Sequence, residues 1–258
     1  MGRKLFVIVF LIFFLLLGIY LYKNKTKNFN IPIVVWVWER PENFYFLKDK
    51  NVIFAYLSGT VTKTNNNLEY YSRRQPLRIP DNRQTISVIR IEDKSDNHKF
   101  TDEDLIDISD YVVKLCIERK SNISCQIDFD ATESQIDFYK KLVVSVREQL
   151  PKDIKLSVTA LVSWCTIDNP WFVDLPLDEV VPMFFRLGKD ENLYWQKIKD
   201  GSLKINSVCQ KSVGIATDEP VPNKVYLENK PIYIFNNVYW SPANWSIIKS
   251  EILHKLDE

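Results

Sequence analysis

Histidine is nearly absent from this 258-residue sequence: His98 and His254 are its only two. That leaves no room for a histidine-rich metal site or a His-based catalytic triad. Its six glycines include no G-x-G pair, so neither a Walker A loop nor a dinucleotide fingerprint is present. The four cysteines, Cys116, Cys125, Cys165 and Cys209, form no C-x-x-C, and zinc is a poor reading of them. They allow three full pairings in an oxidising compartment, or buried free thiols, or one structural disulfide. No Lys/Arg stripe marks a phosphate-backbone binder, so no nucleic-acid partner is expected. No cofactor is expected either. A hydrophobic share of 46% is that of a folded globule rather than a disordered chain.

One long apolar run stands out. Residues 5–22 (LFVIVFLIFFLLLGIYLY) carry no charge and are flanked by Arg3 and Lys4 on one side and Lys23, Lys25 and Lys27 on the other. As a helix they would span about 27 Å, close to the hydrocarbon thickness of a bilayer. No small-residue cleavage site follows, so residues 1–27 are expected to be an uncleaved signal anchor with a short linker. The four-residue tail before the span places the folded part, residues 28–258, outside the cytoplasm. Of the 34 basic residues five lie in residues 1–27, leaving 29 against 33 acidic ones in the remainder. A mildly acidic domain suits neutral or cationic ligands.

Eight strand-like runs rich in β-branched and aromatic residues follow, at 33–38, 52–57, 85–91, 125–130, 155–163, 180–186, 213–218 and 231–235. Helical patterns separate several of them. Thr101 and Asp104 form a capping box before Leu105, Ile108, Val112 and Leu115, which repeat at helical spacing. Thr132 and Gln135 form another, before Ile136, Tyr139, Leu142, Val143 and Val146. Residues 191–199 are a shorter candidate, and Ser241-Pro242 reads as N-cap and N1 of a last helix. Strands alternating with helices imply right-handed crossovers and a parallel sheet. Eight of them imply an α/β (β/α)8 TIM-like barrel. Residues 58–84 have no helical period and look like a loop or a small hairpin, and residues 220–230 are short and proline-broken, so degenerate helices are expected after the second and seventh strands. An open doubly wound sheet is the alternative.

Barrel chemistry sits where strands end, and polar residues collect there: Glu39, Glu92, Asp128, Asp130, Arg186, Asp218, Glu219 and Asn236. On the fourth strand Gln126, Asp128 and Asp130 share one face, while Ile127, Phe129 and Ala131 share the other. The apolar face suits the helix layer, which turns both aspartates inward. An inward carboxylate costs stability unless it is paired. On the third strand Arg90 and Glu92 share a face, and Arg90 is expected to hold the Asp128 pKa down. Glu92 could lie across the mouth from Asp218 or Glu219, as the carboxyl pair of a glycosidase requires. Trp36, Trp38 and Trp164 sit at or near strand ends and could stack on pyranose rings, although core packing is the ordinary role of any one Trp. The first strand offers the interior either its tryptophans or Glu39. Asp128, Asp130 and Asp218 could also ligate Ca2+ or Mg2+ through oxygen.

With these residues in view, the chain resembles an uncharacterised bacterial family, a domain of unknown function grouped with TIM-barrel glycoside hydrolases. The resemblance rests on Trp36-Val37-Trp38-Glu39-Arg40-Pro41, Gln75-Pro76-Leu77-Arg78-Ile79-Pro80, Arg90-Ile91-Glu92 and Gln126-Ile127-Asp128-Phe129-Asp130-Ala131. It continues through Leu161-Val162-Ser163-Trp164-Cys165, Val181-Pro182-Met183-Phe184-Phe185-Arg186 and Ile215-Ala216-Thr217-Asp218-Glu219-Pro220. It implies a glycosidase-like barrel. A wider likeness is to chitinase-like barrels, whose fourth strand bears D-x-x-D-x-D-x-E. Asp128 and Asp130 match the D-x-D, but Thr132 stands in the place of the terminal acid and Glu133 comes one residue late.

Together these readings make the protein a membrane-anchored, glycoside hydrolase-like barrel whose partner is an extracytoplasmic polysaccharide. Asp130 would serve as base, nucleophile or stabiliser, with Asp128 orienting it. Glu219 or Glu92 would be the general acid, raised in pKa by neighbouring carboxylates, with Asp218 beside them. Arg90, Arg186, Asn236, Trp36, Trp38, Trp164 and Glu39 would contact substrate. The alternative is a catalytically inactive barrel that binds glycan or a partner protein.

Overall fold

The computed structural model describes residues 29–168 and 171–258. The expected membrane helix at residues 5–22 lies outside them. No helix among the described residues is long and apolar enough to cross a membrane.

Eight parallel strands close into a ring: β1 (Ile33–Val37), β2 (Val52–Lys63), β3 (Thr85–Asp93), β4 (Asn122–Phe129), β5 (Lys155–Leu161), β6 (Glu179–Met183), β7 (Val213–Ala216) and β8 (Ile232–Phe235). Each pairs with its sequence neighbour, and β1 pairs with both β2 and β8, which closes the barrel. The helices are α1 (Asp102–Ile117) after β3, α2 (Ile136–Gln149) after β4, α3 (Glu191–Lys199) after β6, the single turn α4 (Lys224–Leu227) after β7, and α5 (Pro242–Asp257) after β8. The architecture is therefore the expected TIM-like barrel rather than an open sheet. Among the described residues β2 has no α-helix after it, and β1 and β5 lack one as well, a departure the residue pattern does not announce.

The largest local difference is in β2, which runs on through Ser58-Gly59-Thr60-Val61-Thr62-Lys63. In sequence this stretch reads as a loop or a small hairpin, and the hairpin is what forms. In the barrel it is hydrogen-bonded on one side to β3 and on the other, antiparallel, to Leu68–Ser72. Pairing on both edges outweighs weak local strand propensity. A second small pairing, Glu42–Asn43 with Leu77–Arg78, ties the β1–β2 connection to the β2–β3 connection. Gly59 lets α1 lie against β2, because a Cβ there would meet Leu115 Cδ1 at 2.5 Å and the Tyr111 hydroxyl at 2.6 Å.

Local signals account for the helix starts. The Thr101 hydroxyl accepts from Asp104 N at 3.0 Å while Asp104 accepts from Thr101 N at 2.7 Å, and Ser241 with Asn244 repeats the arrangement before α5. Thr132 N donates to Gln135 Oε1, but a 3-10 turn comes first and α2 begins only at Ile136.

The alternation on β4 divides the core. Ile127 and Phe129 pack outward with Ile108, Val112, Tyr139, Leu142, Val143 and Val146 of α1 and α2. The interior is filled by Val34, Trp36, Ala55, Leu57, Ile86, Val88, Val181 and Tyr233, among others. All four cysteines are paired. Cys116–Cys125 joins the last turn of α1 to β4, and Cys165–Cys209 joins the turn after β5 to the turn before β7. This is one of the three full pairings the four cysteines allow, and it takes the place of free thiols or a single bridge.

Candidate functional site

A cleft of about 430 Å3 opens at the C-terminal ends of the strands. Its charged wall comes from Arg90, Asp128, Asp130, Asp218 and Arg186; its floor is Leu161, Met183, Phe185, Ala216 and Phe235; Trp38, Asn236 and Asn237 complete it.

Arg90 organises one side. It lies in register with Asp128 on the neighbouring strand, and its guanidinium serves three carboxylates. Nε donates to Glu92 at 3.0 Å, one terminal nitrogen to Asp128 at 2.8 Å, and the other to Asp130 at 3.0 Å. The same guanidinium lies over the Trp38 ring, 5.9 Å from its centroid. The second oxygen of Asp128 accepts from the Thr159 hydroxyl at 2.7 Å. Burial works against the charge on Arg90, and Asp128 and Asp130 more than offset it, so its pKa lies above the ordinary value.

Asp128 departs from the sequence expectation. Arg90 does bond it and pulls its pKa down, but burial of the carboxyl is the larger effect and the Asp130 charge adds to it. The net shift is upward from the usual 3.8. Asp130, the first residue after β4, is half exposed, with 55% of its side chain accessible.

The candidate acids are both engaged. For Glu92, burial favours the neutral form, but Lys94 and Arg90 together hold its pKa below the ordinary value, contrary to the raised value expected. Glu219 accepts from the Arg186 backbone N–H at 3.1 and 3.2 Å and from its guanidinium. Asp218 accepts from the other guanidinium nitrogen at 2.7 Å and from Asn237 Nδ2 at 2.9 Å. Arg186 has φ 53, a left-handed conformation uncommon for a side-chain-bearing residue. That conformation is held from both ends by Glu219, and strain of this kind clusters at functional sites.

The remaining sequence candidates divide. Trp38 faces the cleft, and Trp36 lies fully buried beneath, 4.4 Å from Phe235 ring to ring. Strand β1 thus presents tryptophan, and Glu39 does not contact the cleft. Its Oε1 accepts from the backbone N–H groups of Arg74 and Gln75 at 2.8 and 3.1 Å, pinning the β2–β3 connection. Trp164 packs outside the barrel against Trp171 and Phe172, which makes it a core residue rather than a sugar platform. Asn236 lines the cleft, with Oδ1 taken by Thr217 and Nδ2 given to Val238 O. Asp128, Asp130 and Asp218 are each bonded to an arginine, and among the described residues no group of three His, Cys, Asp or Glu is placed to hold a metal.

Sequence reasoning missed Thr159, Asn237 and the apolar floor. Alternation on β5 puts Ser157, Thr159 and Leu161 on one face, which is the signal that could have found Thr159. The floor residues are indistinguishable in sequence from ordinary core.

Another acid with a raised pKa, partly buried, lies at the opposite end of the barrel. Glu179, at the start of β6, accepts from the Tyr233 hydroxyl at 2.7 Å, and burial pushes its pKa above 4.5. The folded state therefore holds a proton that the unfolded chain releases, and ionising Glu179 costs stability as pH rises above 4.5. Glu179→Gln is expected to be at least as stable as wild type at pH 7, with the difference vanishing as pH falls below 4.5. Thermal denaturation at several pH values checks this, and a variant less stable at pH 7 would show that the carboxylate is needed by Tyr233.

No protein-family model and no curated protein matches the chain. Among solved structures, the spore cortex-lytic enzyme SleL of Bacillus cereus is similar at 13% identity and a TM-score of 0.38. The match covers 74% of this chain and 52% of that one, so this chain spans about half its length. Function is accordingly read from the residues of the cleft.

Proposed function

We propose that the barrel is a glycoside hydrolase-like domain that takes an extracytoplasmic polysaccharide into this cleft and cleaves it through Asp130. The supporting observation is the Asp128–Asp130 pair at the end of β4, held by Arg90 beside the Trp38 ring. Asp130 is the accessible carboxylate and acts as base, nucleophile or stabiliser. Asp128 is buried between Arg90 and Thr159; it orients the group, and its burial inclines it to hold a proton. Arg186 offers donors to substrate hydroxyls, with Asn236 lining the cleft. Asp218 and Glu219 become available as acids only when Arg186 turns from them to substrate. Two disulfides suit an oxidising compartment, which agrees with residues 1–27 tethering the barrel outside the cytoplasmic membrane.

A second reading is a glycan-binding barrel without turnover. It is favoured by the ion pairs that occupy Glu92 and Glu219, the candidate proton donors. One experiment separates the two. The full chain in detergent, as wild type and Asp130→Asn, is presented with a panel of bacterial envelope polysaccharides while binding and reducing-end release are recorded. Hydrolysis predicts a loss of about 10^2–10^4-fold in release for Asp130→Asn. The melting temperature should hardly move, because a half-exposed ion pair contributes at most about 1 kcal/mol. Undiminished release would take the chemistry off β4, and binding without release by wild type would establish the second reading.

A further inference from the structure

The loop after β8 carries an exposed aromatic side chain on a backbone that is held at nearly every residue. Tyr239 is 61% exposed. An isolated exposed aromatic is ordinary, but this one sits two residues beyond Asn237, which lines the cleft. Its anchoring is also unusual. Arg40 donates to the carbonyls of Asn236 at 2.9 Å and Asn237 at 3.0 Å, and to that of Val238. The fourth partner of Arg40 is Glu42, at 2.7 Å, a buried carboxylate that also accepts from Trp240 N at 3.2 Å. Asn244 Nδ2 donates to Tyr239 O at 2.7 Å, and Trp240 Nε1 donates to Trp36 O at 3.1 Å. The guanidinium of Arg40 lies 5.3 Å from the Tyr239 ring centroid, so it supports one side of the ring while more than half of the residue stays open to solvent.

From this geometry we infer that Tyr239 is the stacking platform of an outer glycan subsite, reached by a polymer whose chain leaves the cleft past Asn236 and Asn237. This rests on the reading of the cleft as a glycan site. A rigid ring with a free face stacks on the C–H face of a pyranose without the entropy cost of ordering a mobile loop. A sugar on Tyr239 lies outside the cleft, so only an extended chain occupies both places. The substrate class is therefore a polysaccharide strand rather than a mono- or disaccharide.

The test uses the full chain in detergent as wild type, Tyr239→Ala and Tyr239→Phe. The probes are chitin, cellulose and purified peptidoglycan, with the disaccharide repeat of each as short counterpart. For the polymer that wild type binds, Tyr239→Ala is expected to bind about fivefold to tenfold more weakly, the scale of one aromatic contact. Tyr239→Phe should bind as wild type does, while affinity for the disaccharide and the melting temperature stay unchanged in both variants. Equal polymer affinity in wild type and Tyr239→Ala would overturn the outer subsite and leave the cleft reading standing. An equal loss for disaccharide and polymer would also overturn it, since Tyr239 would then act through the cleft itself. Absence of binding by wild type to every probe would overturn the subsite together with the glycan reading.

Discussion

Replacing Arg90 with Met is expected to lower folding stability at pH 7 by about 3–5 kcal/mol, the cost of removing one partner from a buried ion pair. Asp128 decides the size of the effect. Only 4% of its side chain is accessible, and without Arg90 its remaining partner is the Thr159 hydroxyl. Glu92 and Asp130 are more exposed, so water screens them and they add little. The pH dependence gives a second signature. A protonated Asp128 needs no cation, and its pKa already lies above the ordinary 3.8 and rises further without Arg90, so the deficit of the variant should shrink as the pH falls towards that value and be largely gone before 3.8 is passed. Urea denaturation at pH 7 and pH 3.5 measures both. A loss under about 1 kcal/mol at pH 7 would mean that water screens the whole cluster, and a loss independent of pH would assign the effect to packing of the Arg90 stem.

The two disulfides should differ in worth. Cys165–Cys209 closes 44 residues and Cys116–Cys125 closes nine. On the loop-entropy account the first stabilises by about 4 kcal/mol and the second by about 2.5 kcal/mol. Cys165→Ala with Cys209→Ala should therefore shift the denaturation midpoint further than Cys116→Ala with Cys125→Ala. The longer bridge also stands in for a missing helix: among the described residues between β5 and β6 the one helical element is a 3-10 turn, and the bridge ties that turn to the segment before β7. Equal losses, or a larger loss for the short bridge, would show that the linked segments are ordered by packing alone.

Part of the site is legible before folding is considered. The alternation of Gln126 and Asp128 with Ile127 and Phe129 assigns faces, because a strand has a fixed period of two, and Asp130, just past the end of β4, keeps to the side of Asp128. Arg90 is placed beside Asp128 by the same rule on the next strand. The rule fails where the strand stops. β1 ends at Val37, and the next three residues go separate ways: Trp38 to the cleft, Glu39 to the backbone of Arg74 and Gln75, Arg40 to the β8 loop. Trp164 misleads for the same reason, since β5 ends at Leu161 and the 3-10 turn rotates the indole outward. The pairing of Arg186 with Glu219 joins residues 33 apart, and nothing local to either announces it.

The features already legible in the amino-acid order are local and periodic: eight strands, the capped starts of α1 and α5, an inward aspartate pair, and an uncharged 18-residue run at the start of the chain. These follow from backbone sterics, from the hydrogen-bonding reach of a capping side chain and from alternation, each acting within a few residues. The tertiary structure alone decided the extension of β2, the pairing of the cysteines, the net upward shift at Asp128 and the engagement of Glu92 and Glu219 by cations. Each depends on which distant groups meet in a medium of low dielectric. Burial there outweighs a neighbouring guanidinium, and both edges of a polar segment must find hydrogen-bond partners once water is excluded.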